Sequence, residues 1–234
     1  TRLHVHDDEV TIAADGGVIQ TAKGDISVAN AAVLMTAETP GENLVEISGD
    51  LSGSIPAIAA IAQQFQPEAV ASDSLPVDLN ALAGNLSVRM VSTILLDSAG
   101  ATKSMDYSIN GNVQDFGSTA PLQNHTIGNG QLSFMATQAG YRIGGTAQID
   151  GMDADIVIEG DLNAGSQPAM TLSSVVELAD LAKMGFDASS FGTGKVGFTA
   201  KLGSDGAIDM AVDLKDAAID IKDLGISKPA GRAG

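Results

Sequence analysis

The chain has 234 residues, with 12 Lys and Arg against 29 Asp and Glu, giving a formal charge of −17. That balance argues against nucleic acid as a partner, because there is no basic footprint to release phosphate counterions, and against docking on an anionic membrane surface. With no cysteine there is no disulfide and no thiolate zinc site.

The length allows one large all-β unit or two modest domains. No run approaches the roughly 20 apolar residues of a membrane helix, and no signal peptide is present. The chain opens "TRLHVHDDEV", without Met, and is read as a fragment of something longer. Hydrophobic residues make up 44% but aromatics only 3%, so the apolar mass is Ala, Val, Ile, Leu and Met. Such a filling suits a thin core between two sheets. It can also form a smooth apolar surface that meets something fluid, but composition alone favours the thin core.

In chain order, a terminal strand carries His4 and His6. Alternation then predicts strands over 9–14, 17–22, 25–30, 43–53, 85–97, 105–113, 130–137, 141–149, 154–162, 169–176, 195–202 and 207–216. Turn chemistry stands between them at Asp15-Gly16-Gly17, Asn110-Gly111, Asn129-Gly130, Asp150-Gly151 and Asp205-Gly206. Short connections predict antiparallel neighbours, hence a meander. Two stretches break the pattern. "SIPAIAAIAQQF" puts Ile55, Ile58, Ala59, Ala62 and Phe65 on one helical stripe, with Ser54 as N-cap and Pro56 in the first turn. "VELADLAKMGF" does the same with Leu178, Leu181 and Ala182 and ends at Gly185, predicting a second short helix over 177–185. Residues 67–82 read as a loop. The fold class is therefore all-β, an antiparallel, twisted and curved sheet with two short amphipathic helices.

The breaks expose an internal repeat. A shift of about 121 to 123 residues lays "EVTIAADGGVIQTAKGDISVANAAVLM" on "GQLSFMATQAGYRIGGTAQIDGMDADIVI", and the first helix on the second. After the helices the offset falls to about 110 and then about 102, as the loops of the second copy shorten. The copies are assigned to residues 1–104 and 105–234.

One parity class in each strand is apolar. It comprises Val10 and Ile12; Ile26 and Val28; Leu86, Val88 and Met90; Tyr107 and Ile109; Leu132 and Phe134; Tyr141 and Ile143; Ile156 and Ile158; Val196 and Phe198; and Ile208, Met210 and Val212. The intervening Thr11, Ser87, Arg89, Ser133, Arg142 and Asp209 are predicted to face water. The eight Met residues read as adaptable apolar filler.

Sites for chemistry are sparse. His4 and His6 have the spacing of a metal pair, but a third ligand is missing nearby and Asp7 and Asp8 are not obvious ligands. The stretches 97–106 and 203–213 have acidic spacing yet fit no calcium loop. Asn85-Leu86-Ser87 and Asn124-His125-Thr126 match the glycosylation triplet by chance at this length. None of the three His sits in a strand-to-helix elbow, so no catalytic residue, metal or cofactor is expected.

Three segments resemble the AsmA-like C-terminal region of large Gram-negative envelope proteins. They are "HTIGNGQLSFMATQAGYRIGGTAQIDGMDADIVIEGDL", then "VELADLAKMGFD", then "TGKVGFTAKL". The closing "LKDAAIDIKDLGISKPAG" is similar too, although Ile226-Ser227 stands where the family usually has an aromatic before Lys-Pro. The resemblance implies a periplasmic protein anchored to the inner membrane outside this fragment, with repeats forming a U-shaped β-groove. The groove would conduct phospholipid or other lipid acyl chains between the two membranes. The twenty apolar positions named above would line it, and envelope proteins would be partners at its ends. Gly144-Gly145 would supply a bend. The alternatives are a structural spacer whose sheet closes on itself, or an assembly scaffold offering a sheet edge to outer-membrane or adhesive β-proteins. Scarce aromatics favour the conduit, since large rings would obstruct it.

Overall fold

The structure, a computed structural model, describes residues 1–6, 9–39, 41–65, 79–121, 125–161, 167–184, 187–188 and 190–232. Fourteen strands form one antiparallel sheet, open and curled. They are β1 (Arg2–His6), β2 (Glu9–Thr21), β3 (Gly24–Thr39), β4 (Glu42–Ser54), β5 (Leu82–Leu96), β6 (Thr102–Ser118), β7 (Ile127–Thr137), β8 (Gly140–Ile149), β9 (Met152–Asp161), β10 (Ala169–Glu177), β11 (Gly192–Leu202), β12 (Ile208–Asp213), β13 (Ala217–Ile221) and β14 (Ile226–Lys228). From β1 to β11 each strand pairs with its sequence neighbour, as the short connections predict. The outer edge of β11 is shared. β12 takes its Gly197–Leu202 half, β13 takes Gly192 to Gly194, and β14 pairs with β13.

The predicted run 207–216 is thus split. β12 stops at Asp213, whose Oδ1 accepts the Lys215 amide at 2.8 Å, and the chain steps down before β13 begins. The sequence strands 9–14 and 17–22 are one strand, β2, with pairing to β3 on both sides of Asp15. The expected boundary between repeats, 104/105, falls inside β6.

Three of the expected turns are corrected. Asp15-Gly16-Gly17 and Asn110-Gly111 lie within strands, and Asn129-Gly130 lies within β7. Asn110 is held extended by partners on both sides, Arg89 and Met135, so tertiary pairing overrides the local turn preference. Asn129 adopts φ 51° where the β7–β8 register slips between Gly128 and Gln131. Asn30 (φ 50°) and Asp115 (φ 53°) stand at the equivalent slips in β3 and β6. Asn and Asp tolerate the left-handed region, so each absorbs a bulge without ending its strand. Side chains hold two of these bulges: Asn30 Nδ2 donates to Asp50 Oδ2 and Asn129 Nδ2 to Gln148 Oε1, each at 2.6 Å. Asp150-Gly151 does form the expected two-residue hairpin, with φ 51° and 78° between Ile149 and its partner Met152.

The first helix is as predicted. α1 spans Ile55–Phe65, and Ser54 Oγ accepts the Ala57 amide at 3.3 Å as an N-cap should. The second is a 3-10 helix over Leu178–Met184 rather than an α-helix. Three residues per turn stack Leu178 directly over Leu181, and both sit against Ala188, Val196 and Ala217. The expected C-cap at Gly185 lies outside the described residues. So does most of the predicted loop: of 67–82, residues 79–81 form a 3-10 turn and Leu82 opens β5.

The connections alternate between the two ends of the sheet. One end carries α1, between β4 and β5, and the 3-10 segment, between β10 and β11. The buried residues gather there. Ile26 and Leu82 are buried where α1 packs on β3 and β5, and Leu178, Ala188, Val196 and Ala217 form a compact cluster at the other corner of the same end.

Candidate functional site: an uncharged apolar face

Residues paired across antiparallel strands point to the same side of a sheet, so the register assigns faces directly. From Val88 the chain of partners runs through Leu51 to Val28 on one side. On the other side Met90 pairs with Ile109, and Leu86 with Val113 and then Leu132. Phe134 pairs with Ile143, Ile143 with Ile158, and Ile158 with Met170. Val176 pairs with Val196, and Phe198 with Val212. Followed to both edges, this register puts all twenty predicted positions on one face. Among them Ile26 and Val196 are buried, Ile12, Ile208, Met210 and Val212 are exposed, and the remaining fourteen are half-buried. Thr11, Ser87, Arg89, Ser133, Arg142 and Asp209 stand on the opposite face; Thr11 is half-buried and the others are exposed.

Sequence reasoning missed part of this face. β4 contributes Val45, Ile47 and Leu51, partners of Ile94, Ser92 and Val88. β3 contributes Val33 and Met35, whose parity is opposite to that of Val28 because the Asn30 bulge reverses it. β1 adds Leu3 and Val5, partners of Ile12 and Val10. The alternation of β4 was a usable signal, although Gly49 and Gly53 interrupt it.

Among the cross-strand-paired residues from β1 through β13, this face holds no Asp, Glu, Lys or Arg. The charge appears only at β14, where Lys228 turns its ammonium to carbonyls, 2.6 Å from Leu214 O and 2.9 Å from Ala217 O. The charged pairs lie elsewhere, as Arg142 with Glu159, Arg89 with Asp50 and Arg2 with Asp15.

The Phe134 ring stands close over its partner Gly111, where an added Cβ would come within 2.6 Å of the ring. Tyr141 covers its partner Gly160 in the same way, with an added Cβ 2.5 Å from the ring. A glycine gives each ring a bed in the sheet, which is how strands accommodate an aromatic without raising it.

Exposure of the face is greatest towards the end opposite α1, although Ile19 and Ile226 are exposed at the α1 end as well. Leu3, Val5, Ile12, Met35, Met105, Met170, Ile208 and Met210 are all exposed and all lie towards the end opposite α1. Small concavities also occur among the described residues. One, about 430 Å³, lies on the polar face between β3 and β6, around Asp50, Arg89 and Asn112. Another, about 450 Å³, lies between the β2–β3 hairpin and α1.

His4 and His6 stack 6.3 Å apart on the polar face of β1. No group of three or more His, Cys, Asp or Glu among the described residues could hold a metal ion, and Asp7 and Asp8 lie outside those residues. The glycosylation triplet at Asn124 also begins outside them. His125 instead ties down a hairpin: its Nδ1 lies 2.7 Å from Asp150 Oδ2, while the Thr126 amide donates to Asp150 Oδ1 at 2.9 Å. The His125 hydrogen bond, then the Thr126 amide, hold the Asp150 carboxyl below its ordinary pKa.

No protein-family model, characterised protein or solved structure matches the chain.

Proposed function

We propose that the apolar face binds lipid acyl chains and conducts them along the sheet, and that the protein is a non-enzymatic segment of a bridge between membranes. The observation that carries this reading is, among the described residues, an apolar face with no charged residue at its paired positions over thirteen strands and with no second sheet packed on it. A sheet of this kind loses free energy unless something apolar covers it, at about 25 cal/mol per Å². A protein core would interlock with it through fixed side chains. An acyl chain asks only for smooth, uncharged aliphatic walls, and the Phe134 and Tyr141 rings pack closely over Gly111 and Gly160. The resemblance to AsmA-like envelope proteins supports the same reading. It adds the periplasm as location, phospholipid as cargo, and an anchor and envelope partners outside this chain.

The test is a photo-crosslinking amino acid at Val88 or Ile158 in protein made in a Gram-negative host, with adducts read by mass spectrometry. Acyl-chain adducts are expected at both. The same probe at Arg89, on the opposite face, should yield none. Absence of lipid at Val88 and Ile158, together with native mass spectra free of lipid, would overturn the proposal in favour of a structural spacer.

A further inference from the structure

Sulfur marks one end of the apolar face. Met35, Met105 and Met170 are exposed by 38%, 44% and 39%. They stand on β3, β6 and β10, strands that are each paired on both sides. All three belong to the apolar face and lie towards the end opposite α1. Met35 pairs with Val45, Val45 with Ile94, and Ile94 with Met105, so two methionines bound one row across four strands. Met170 pairs with Ile158 and Leu202. Met210 faces the same way on β12. Further from this lip the face is built of branched aliphatics, with Val88, Ile109, Ile143 and Ile156 all half-buried. Met152, towards α1, is only 8% exposed. Met135 is exposed too, but on the polar face, between Asn110 and Arg142.

Packing alone does not ask for methionine at a solvent-facing lip, since leucine fills nearly the same volume. What the thioether adds is chemistry. It is soft and polarizable, and it is oxidised to a sulfoxide that is polar where the thioether is apolar. The chain has no cysteine and no tryptophan, so thioethers are its most readily oxidised groups. With hydrogen peroxide the step balances as an oxygen transfer. A sulfur lone pair takes one peroxide oxygen as the O–O bond breaks. The sulfur is oxidised by two electrons, and the proton on the transferred oxygen passes to the departing hydroxide, which leaves as water. A methionine sulfoxide reductase reverses the change at the expense of a dithiol, again releasing water.

We infer that Met35, Met105 and Met170 are a modification site on the lip of the apolar face, where oxidation by hydrogen peroxide wets the lip and closes the open end to apolar occupants. Each sulfoxide oxygen accepts hydrogen bonds from water, and an occupant must strip that water to make the same contact. The consequence for acyl chains rests on the conduit reading. The oxidation itself, and the wetting of the face, do not.

The test uses the full chain carrying Met210→Leu, so that β12 contributes no sulfur to the face. Hydrogen peroxide is added in steps, and peptide mass spectrometry follows the gain of oxygen at each methionine. Met35, Met105 and Met170 should be oxidised well before Met152. Fluorescently labelled palmitic acid and the uncharged dye Nile red are then titrated separately. Peroxide should weaken the binding of each by about fivefold or more, with circular dichroism unchanged, and a methionine sulfoxide reductase should restore it. With Met35→Leu, Met105→Leu and Met170→Leu combined, affinities before and after peroxide should agree within about twofold, whatever the starting value. Met135→Leu, which removes an exposed sulfur from the polar face, should leave the response to peroxide as it was.

Complete oxidation of the three sites with undiminished binding would overturn the inference. So would an equal loss in the triple variant, a loss that accompanies unfolding, or oxidation of Met152 as early as of the lip. If palmitic acid fails to bind before any peroxide is added, the conduit reading fails and Nile red alone decides the inference. A face that binds neither probe at the outset would overturn both.

Discussion

The two ends of the apolar face are made from the same aliphatic residues and end in opposite states. Towards α1, Ile26 is 2% exposed and Ala217 fully buried; towards the other end, Met210 is 71% exposed. What differs is the connection rather than the strand. At the covered end the β4–β5 and β10–β11 connections are long enough to fold back as a helix and a 3-10 segment. At the open end β7 and β8 are joined across residues 138–139 and β11 and β12 across 203–207, too few to cover anything. Alternation thus decides which side of a strand is apolar, while loop length decides whether that side is a core or a surface.

The comparison is sharpened by placing one charge at each end. Val196→Asp at the covered corner buries an unpaired carboxylate, at a cost on the order of 4 kcal/mol or more. Thermal melting should fall by about 10 °C or more, or the domain should not fold. Met210→Asp at the open end leaves the carboxylate in water, and melting should move by less than about 2 °C, consistent with a cost under about 0.5 kcal/mol. Ile158→Asp lies between, half-buried on the open sheet. It should cost about 1 kcal/mol in a denaturant titration while abolishing lipid adducts at that strand. If Val196→Asp and Met210→Asp prove equally destructive, the distinction between the ends fails.

Smaller changes probe what holds each end. Gly160→Val drives a Cβ into the Tyr141 ring, which must lift from its bed; urea titration should record a loss of about 2 kcal/mol. Ser54→Ala removes the cap on α1 and should cost about 1 kcal/mol, with hydrogen exchange rising in α1 ahead of β8 and β9. The smallest effect concerns Asp150. Its folded pKa is depressed, so its contribution is complete above the ordinary value of 3.8 and is lost as pH falls through the lower folded value. The Thr126 amide resonance should shift in that acid window, and should be insensitive to it in Asp150→Asn.

The alternation of Leu86, Val88 and Met90 made the apolar face legible because β5 is uninterrupted there. Val33 and Met35 were not legible, because one left-handed residue, Asn30, reverses the parity of the strand. Asn110-Gly111 looked like a hairpin turn, since nothing local records that Phe134 will occupy the space above the glycine. The amphipathic stripe at Leu178 and Leu181 was visible, but at seven residues it could be wound as either kind of helix. The difference between the covered and open ends follows from where connections return in space, which no periodicity encodes.

The strand order has a kinetic consequence. Because the strands from β1 to β11 pair with one another only as sequence neighbours, every ladder between them closes through a hairpin or a single connection, with no strand waiting on a distant one. Chains dominated by local pairing pay little loop-closure entropy before contacts reward it. Such a sheet grows by accretion, each hairpin templating the next, and its stability approximates a sum of nearest-neighbour terms, as in a linear array. Unfolding of this chain should then proceed as fraying, starting at β1 and β12, which have one strand neighbour each among the described residues, and arriving last at the strands beneath α1.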